Sequence, residues 1–472
     1  STTMHFMPGC EILQSFDLVH WEHVTYVYET LDHTDAQQLK SGQNIYGQGM
    51  WAASLRYHEG RFYICFVAND TRKTYLYTSE KIDGPWKKQL IEGFYHDGSL
   101  LFDEDGRNYI VYGNDEIWIT ELNEDLTAPK KDGLHRLLVS DHKNPELGYE
   151  GSHIQKINGY YYIFLVHSLR DRWMRTEACF YSDSLEGEFT GGDVLCDDRG
   201  YCGQGVAQGG IVDTPDGKWY AMLFQDSGAV GRIPILLPVT WKDHFPVFGQ
   251  NGHVPEEIEV HSTRPGYIYQ PLVGSDDFCN GLLPRWQFNH DPDPRYYHLD
   301  ALQGTYTITT REVCTELTQA VNTLTQRMSY PSCAAEVTVD ASALKEGDVA
   351  GLCALQSCYA AVGITKHHGK YEVLMLDKKE DGILDMTEGT VVESHQMDFR
   401  LEADFCNMKD EARCYYRVNK GDWLPIGTVH KLYFKLDHFT GCRFGLFCYA
   451  AEETGGSACF RDFKYYDVDE IS

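Results

Sequence analysis

A turn ending in Gly followed by an aromatic-rich alternating run occurs four times in this chain, and the repeat limits the folds open to it. The segments are His58-Glu59-Gly60-Arg61-Phe62-Tyr63-Ile64, Glu104-Asp105-Gly106-Arg107-Asn108-Tyr109-Ile110, Ile157-Asn158-Gly159-Tyr160-Tyr161-Tyr162-Ile163 and Pro215-Asp216-Gly217-Lys218-Trp219-Tyr220-Ala221. Asn-Gly and Asp-Gly supply the positive φ angles that tight hairpin turns need. The repeated Gly residues lie 46, 53 and 58 residues apart, the length of one four-stranded propeller blade with a long connection. A second element runs from a Ser through an apolar residue to an aromatic: Ser15 to Trp21, Ser79 to Trp86 and Ser182 to Phe189. These segments predict turns between outer strands. The first unit lacks its Gly-aromatic half. Four complete units and one incomplete unit predict an all-β fold with a five-bladed propeller over 1–248, its first strand missing from the chain.

The period stops near Phe248-Gly249, and residues 249–275, punctuated by Gly249, Gly252, Pro255, Pro265, Gly266 and Pro271, predict a linker. From 276 to 472, short runs such as Thr305 to Thr309 and Ala334 to Val339 alternate with polar turns. They predict one β-sandwich of the jelly-roll kind.

Charge and cysteine usage narrow the partners. The net charge of −29 repels phosphate backbones and anionic lipids, which argues against nucleic-acid and membrane-surface binding. No stretch approaches 18 consecutive apolar residues, so none predicts a spanning helix. The 31 Tyr, 22 Phe and 9 Trp suit strands and flat faces for sugar rings. Fifteen Cys are scattered without Cys-x-x-Cys or zinc-ligand spacing, which predicts free thiols and a cytoplasmic setting. A signal peptide would precede Ser1 and lie outside the sequence. A homo-oligomer is compatible with all of this.

Glycine-rich phosphate loops, the His-Glu-x-x-His motif and the Gly-x-Ser-x-Gly elbow are absent from the sequence. Carboxylates remain. Asp97 in Tyr95-His96-Asp97-Gly98-Ser99 and Glu150 in Gly148-Tyr149-Glu150-Gly151-Ser152-His153 each stand beside a Gly, just before an apolar run. Innermost propeller strands start at the central channel, so both side chains are candidates to converge there. Spacing alone favours the simpler reading, an Asp-Gly turn and a solvated Glu.

The order of the motifs adds to this. Ser1 to Gly9, Met50-Trp51-Ala52, His96 to Ser99, Glu150 to His153, Gln208-Gly209-Gly210 and Gly228 to Arg232 closely resemble the catalytic propeller of glycoside hydrolase family 43. Trp286 to His290 and Asn322 to Arg327 resemble the concanavalin-like sandwich appended to its β-xylosidases. The resemblance implies hydrolysis of glycosidic bonds with inversion, an acid on one face of the sugar and a base activating water on the other. It places Glu150 as general acid and Asp97 as the carboxylate that orients it and raises its pKa. Arg232, Gln208, Trp51, Met4 and His5 fall at substrate-binding positions.

Two departures from the family pattern stand out. The family's general base is an Asp on the first propeller strand, and no residue of this chain matches it. Relatives often carry a metal-holding His where this chain has Ala207, so no metal is expected to be required, and bound Ca²⁺ is disfavoured. His153 predicts a structural hydrogen-bonder. The resulting expectation is an exo-acting β-D-xylosidase or α-L-arabinofuranosidase on xylo- and arabinoxylo-oligosaccharides. The alternatives are a non-catalytic carbohydrate-binding propeller, a form completed by a separate N-terminal segment, or an endo-acting arabinanase.

Overall fold

The computed structural model describes residues 1–467; the last part of the sandwich range expected from sequence, 468–472, lies outside the described residues. Four antiparallel four-stranded sheets follow one another in the first half. They are Ser54–His58, Arg61–Ala68, Lys73–Ser79 and Lys87–Ile91; Ser99–Phe102, Asn108–Asn114, Glu116–Leu122 and His135–Ser140; Glu150–Ile157, Tyr160–Ser168, Arg175–Ser182 and Thr190–Leu195; and Ala207–Asp213, Trp219–Asp226, Arg232–Lys242 and Phe245–Phe248. Each repeated Gly turns the chain from the first strand of its sheet into the second. Gly60, Gly106, Gly159 and Gly217 have φ of +81°, +82°, +85° and +78°, a region that side chains with a Cβ resist.

The first strands of the sheets gather around one channel, tied by side chains rather than by ladder bonds. Arg56 of the first sheet donates to Leu100 O at 2.9 Å and Ser99 Oγ at 2.7 Å in the second sheet, and to Ile154 O at 3.0 Å in the third. Gln155 of the third sheet donates to Ile211 O of the fourth at 2.9 Å. Neighbouring sheets then pack face to face. Leu101, Tyr109 and Ile119 meet Ile163 and Leu165 between the second and third, and Tyr162 and Phe164 meet Ile211, Leu223 and Leu237 between the third and fourth. This is a β-propeller.

The blade count departs from the expectation of five. Four blades are four-stranded, and what precedes them is a two-stranded sheet, Gly9–Gln14 with Glu22–Tyr28. Its Cys10, Ile12 and Val27 pack on Phe66, Tyr75 and Tyr77 of the first full blade, as a blade face would. The chain ahead of it is committed elsewhere. Phe6–Met7 is an edge strand of the second domain's large sheet, with Phe6 opposite Asn289 and Met7 opposite Phe288.

That second domain is a β-sandwich of a nine-stranded and a seven-stranded antiparallel sheet. The core between them holds Trp286, Phe278, Tyr306, Phe399, Phe444 and Phe460, and it also takes in Ala229 and Val230 of the propeller. Ten of the fifteen free Cys are buried, many in these strands as small apolar groups.

Where the two domains meet, four rings cluster together. His5 lies 4.8 Å from His290 and 5.3 Å from His438, and Tyr46 stands 4.6 Å from His290 (ring centroids). His5, His290 and His438 are fully buried, and both ring nitrogens of His5 lack a partner. Burial, with the Arg443 charge adding to it, holds His5 well below the usual imidazole range, and burial holds His290 at about 3. Both imidazoles stay neutral in the folded protein and charge at about pH 6.5 once unfolded. Their contribution to stability is therefore complete above that pH and is lost as pH falls toward 3. Each imidazole kept neutral steepens the loss by about 1.4 kcal/mol per pH unit. The melting temperature should accordingly drop between pH 7 and 5, and less steeply in a His5→Phe variant. An unchanged slope in that variant would exclude His5 as a source.

Candidate active site

At the mouth of the channel, the segment before one first strand and the opening residue of the next bring carboxylates together. Asp97 has φ +47°, and its Oδ2 accepts from Gly151 N at 3.0 Å. Ser152 Oγ donates to Asp97 O at 2.6 Å, so the second and third blades are bonded at this point. His96 lies between the two acids, its Nε2 3.6 Å from Asp97 Oδ2 and 3.8 Å from Glu150 Oε2. The ligand atoms of His96, Asp97 and Glu150 are all within 4.8 Å of one another, a set that could take a divalent cation.

Beside them, two guanidiniums share one buried carboxylate. Arg175 Nε donates to Asp226 Oδ2 at 3.0 Å and Arg232 Nε to Asp226 Oδ1 at 3.3 Å. Arg232 is also held between two rings, 4.4 Å from the centroids of both Phe224 and Phe439. Phe224 belongs to the propeller and Phe439 to the sandwich. The Phe439 ring stands edge-on to Trp51 at 5.4 Å, and Trp51 faces His96 at 6.2 Å. A cavity of about 440 Å³ opens here, lined among others by Gln208, Arg232, His153, Phe439 and Thr440. Its size suits one or two sugar rings.

Gln208 is set from behind. Arg175 Nη1 donates to its Oε1 at 3.3 Å, and its backbone N–H donates to Glu177 Oε2 at 2.7 Å. Its amide thus shows its NH₂ group away from Arg175 and against Gly151, where a Cβ would lie 2.9 Å from Gln208 Cγ. Burial pushes the Glu177 carboxyl well up, only partly offset by that N–H.

The electrostatics of the acid pair follow from what each group faces. Burial raises Asp97, with Glu150 adding to the rise against the charge of His96. Burial also pushes Glu150 up, but His96, Arg175 and Arg232 outweigh it and hold this carboxyl below its usual range. His96 is raised, because the two carboxylates overcome its own burial. Like-charge proximity from Asp97 is therefore not the ruling influence on Glu150.

Of the residues expected from sequence, Gln208 and Arg232 line the cavity, while Asp97 and Glu150 with His96, and Trp51 beside Phe439, stand next to it without being among its lining residues. Met4 and His5 do not line the cavity and are fully buried. Met4 lies beneath the site, its Sδ accepting from Thr440 Oγ1 at 3.6 Å, while His5 belongs to the interdomain cluster. The pairing of Phe6–Met7 with the sandwich draws both inward. His96, Arg175, Asp226, Phe439 and Thr440 were not singled out. Arg175 and Asp226 stand in different blades with no local motif, and Phe439 and Thr440 come from the second domain, so no local signal in the propeller sequence points to them. At the position where the resemblance led to a metal-holding His, Ala207 offers no ligand atom to a cation. Ala207 is a buried methyl, and the nearby His153 is held at about 4 by burial and by the Arg56 charge.

Comparison with known proteins agrees with this geometry. The family model described as Glycosyl hydrolases family 43 matches residues 1–246, and that for a beta xylosidase C-terminal Concanavalin A-like domain matches residues 275–466. The chain belongs to glycosyl hydrolases family 43 and is a glycosidase by fold and family. It is 25% identical to a beta-xylosidase of Formosa agariphila, over 99% of this chain and 85% of the relative. It is 22% identical to a non-reducing end alpha-L-arabinofuranosidase of Bacteroides ovatus, over 82% of this chain and 75% of the relative. A solved structure titled as a bifunctional GH43-CE protein of Bacteroides eggerthii superposes with a TM-score of 0.91 at 41% identity, over 100% of this chain. The chain spans 61% of the length of that protein.

Removing one partner of a buried ion pair strands the others, at a cost of about 3–5 kcal/mol. Asp226→Asn leaves two guanidiniums without their shared carboxylate. Its denaturant midpoint should fall by a corresponding amount at unchanged m-value; a change under about 1 kcal/mol would mean that water already screens the triad.

Proposed function

We propose that the protein is an exo-acting, inverting glycosidase that releases xylose, arabinose or both from xylan-derived oligosaccharides. The observation that carries this is the position of Glu150. It sits at the channel mouth beside Asp97 and His96, next to a cavity that a sandwich residue, Phe439, walls on one side. A cavity walled by a second domain suits a chain end better than the middle of a polymer. Relatives named beta-xylosidase and alpha-L-arabinofuranosidase support both pentoses as substrates. A pocket of this kind separates two such sugars by only about 1–3 kcal/mol, so dual activity is expected.

In this reading Glu150 protonates the leaving oxygen, and buried Asp97 with His96 orients it and shares its proton. Arg232 and Gln208 donate to sugar hydroxyls, and Trp51 offers its face to the ring. Asp97 and Glu150 are too close to be the acid and base of an inverting pair, which stands about 6.5–9.5 Å apart. The base is therefore a third carboxylate across the cavity, which among the described lining residues is not found. That observation favours the second reading, a sugar-binding propeller without turnover or one completed by a further segment. We take 1–248 as the catalytic unit, its two-stranded sheet as the remainder of a fifth blade, 249–275 as the linker and 276–472 as the sandwich. The carboxylate chemistry calls for no metal, and the free thiols suit a reducing, cytoplasmic setting.

Release of p-nitrophenol from the β-D-xyloside and the α-L-arabinofuranoside tests the proposal directly. Glu150→Gln should lower kcat on xylobiose by at least about 10²–10⁴-fold, and Asp97→Asn by less. Sugar binding without release from either glycoside would select the second reading.

A further inference from the structure

The hairpin turn between the second and third strands of the second blade reaches across both carboxylate-bearing segments. Gly113 N donates to His96 O at 3.0 Å, and Asp115 N donates to Tyr149 O at 2.9 Å. Residues 113–115 are thus bonded on one side to the residue before Asp97 and on the other to the residue before Glu150. A third bond, Asp141 N to Asp115 O at 2.9 Å, holds the turn from below. There is no slack in this bracket. A Cβ on Gly113 would meet Glu116 O at 1.9 Å, and one on Gly148 would meet Asp115 Oδ1 at 1.9 Å. Between the two anchors, Asn114 Nδ2 donates to Glu150 Oε2 at 2.9 Å. His96 Nε2 faces the same oxygen. Oε1 receives neither.

We propose that Asn114 is a positioning residue for the acid: it holds Glu150 by Oε2, so that Oε1 carries the proton given to the leaving group. The proposal rests on the reading of Glu150 as general acid. During the reaction the Oε1–H bond breaks as the glycosidic oxygen gains that proton and parts from the anomeric carbon. Water adds to that carbon from the opposite face and yields its proton to the general base. Glu150 ends as a carboxylate, and an N–H donor favours that charged form. The Asn114 bond therefore strengthens as charge develops on Glu150, which is the kind of contact that speeds a reaction. An amide is suited to the task, since it donates without titrating beside the charges of Asp97, His96, Arg175 and Arg232 that also face Glu150.

The test uses Asn114→Ala and Asn114→Asp in the otherwise intact protein, with two substrates and one spectroscopic readout. On xylobiose, whose leaving group needs a proton, kcat should fall by about 10–100-fold in Asn114→Ala, the weight of one hydrogen bond to a charged group. On a 2,4-dinitrophenyl glycoside, whose leaving group needs none, the change should stay within about threefold. The basic limb of the kcat/KM profile should move up by about one pH unit in Asn114→Ala and further in Asn114→Asp. Equal losses on both substrates with an unmoved basic limb would reduce Asn114 to a structural part of the turn and overturn the proposal. The infrared carboxyl band of Glu150, assigned by difference against Glu150→Gln, reports the same bond without turnover: its titration midpoint should rise in both variants, and an unmoved midpoint overturns the proposal. If Glu150→Gln keeps full xylobiose turnover, the acid assignment fails instead, while the band in the Asn114 variants still reads the bond.

Discussion

Two glycine-only contacts join the propeller to the sandwich, and the geometry of the site depends on them. A Cβ on Gly231 would lie 2.7 Å from Gly441 N, and one on Gly441 would lie 2.1 Å from Val230 O. Cys442 N donates to Ala229 O at 2.8 Å across the same seam, and Ala229 and Val230 enter the sandwich core. Arg232 follows Gly231 directly, and Phe439 precedes Gly441 by two residues. Because the backbones touch, the guanidinium and the ring can meet at 4.4 Å. The cavity wall is thus set by main-chain contact, which is far stiffer than a loop laid over a surface.

The same weld explains the course of the first residues. Phe6 packs under Arg443 at 3.6 Å, and Arg443 Nη1 donates to Gln287 Oε1 at 2.8 Å. Gln287 in turn donates to Pro8 O at 2.6 Å. A fully buried guanidinium survives only with such partners and an aromatic face. Its demand for them helps hold Phe6–Met7 in the large sandwich sheet rather than in a blade.

Much of the fold could be read from local signals, and the exceptions share a cause. The Gly-aromatic repeat marked the turn from first to second strand in each full blade, because a positive φ leaves a residue-level trace at Gly60, Gly106, Gly159 and Gly217. The alternation of Asp97-Gly98 and Glu150-Gly151 with apolar runs likewise marked where first strands begin. A partner distant in sequence leaves no such trace. Nothing near Arg175 announces Asp226 fifty-one residues on, nor does Met4-His5 disclose that the next two residues pair with Asn289 and Phe288. The motif containing His5 was visible, but its burial among His290, His438 and Tyr46 depends on the second domain. Pattern reading found the strands; which blade or domain each side chain faces was decided by packing.

The acid pair illustrates how such distant partners change the chemistry of a recognisable motif. Two carboxylates at this spacing would by themselves repel, and one would hold its proton to high pH. Here His96 stands between them and is raised by both, while Arg175 and Arg232 act on Glu150 from two other strands. The site therefore favours a proton on the more deeply buried Asp97 over Glu150, which His96, Arg175 and Arg232 stabilise as the charged partner. With His96 raised by both carboxylates, its positive charge lies between them and keeps the pair from holding two unshielded charges. A motif that names two acids thus does not say which of them is charged; residues distant in the sequence decide it.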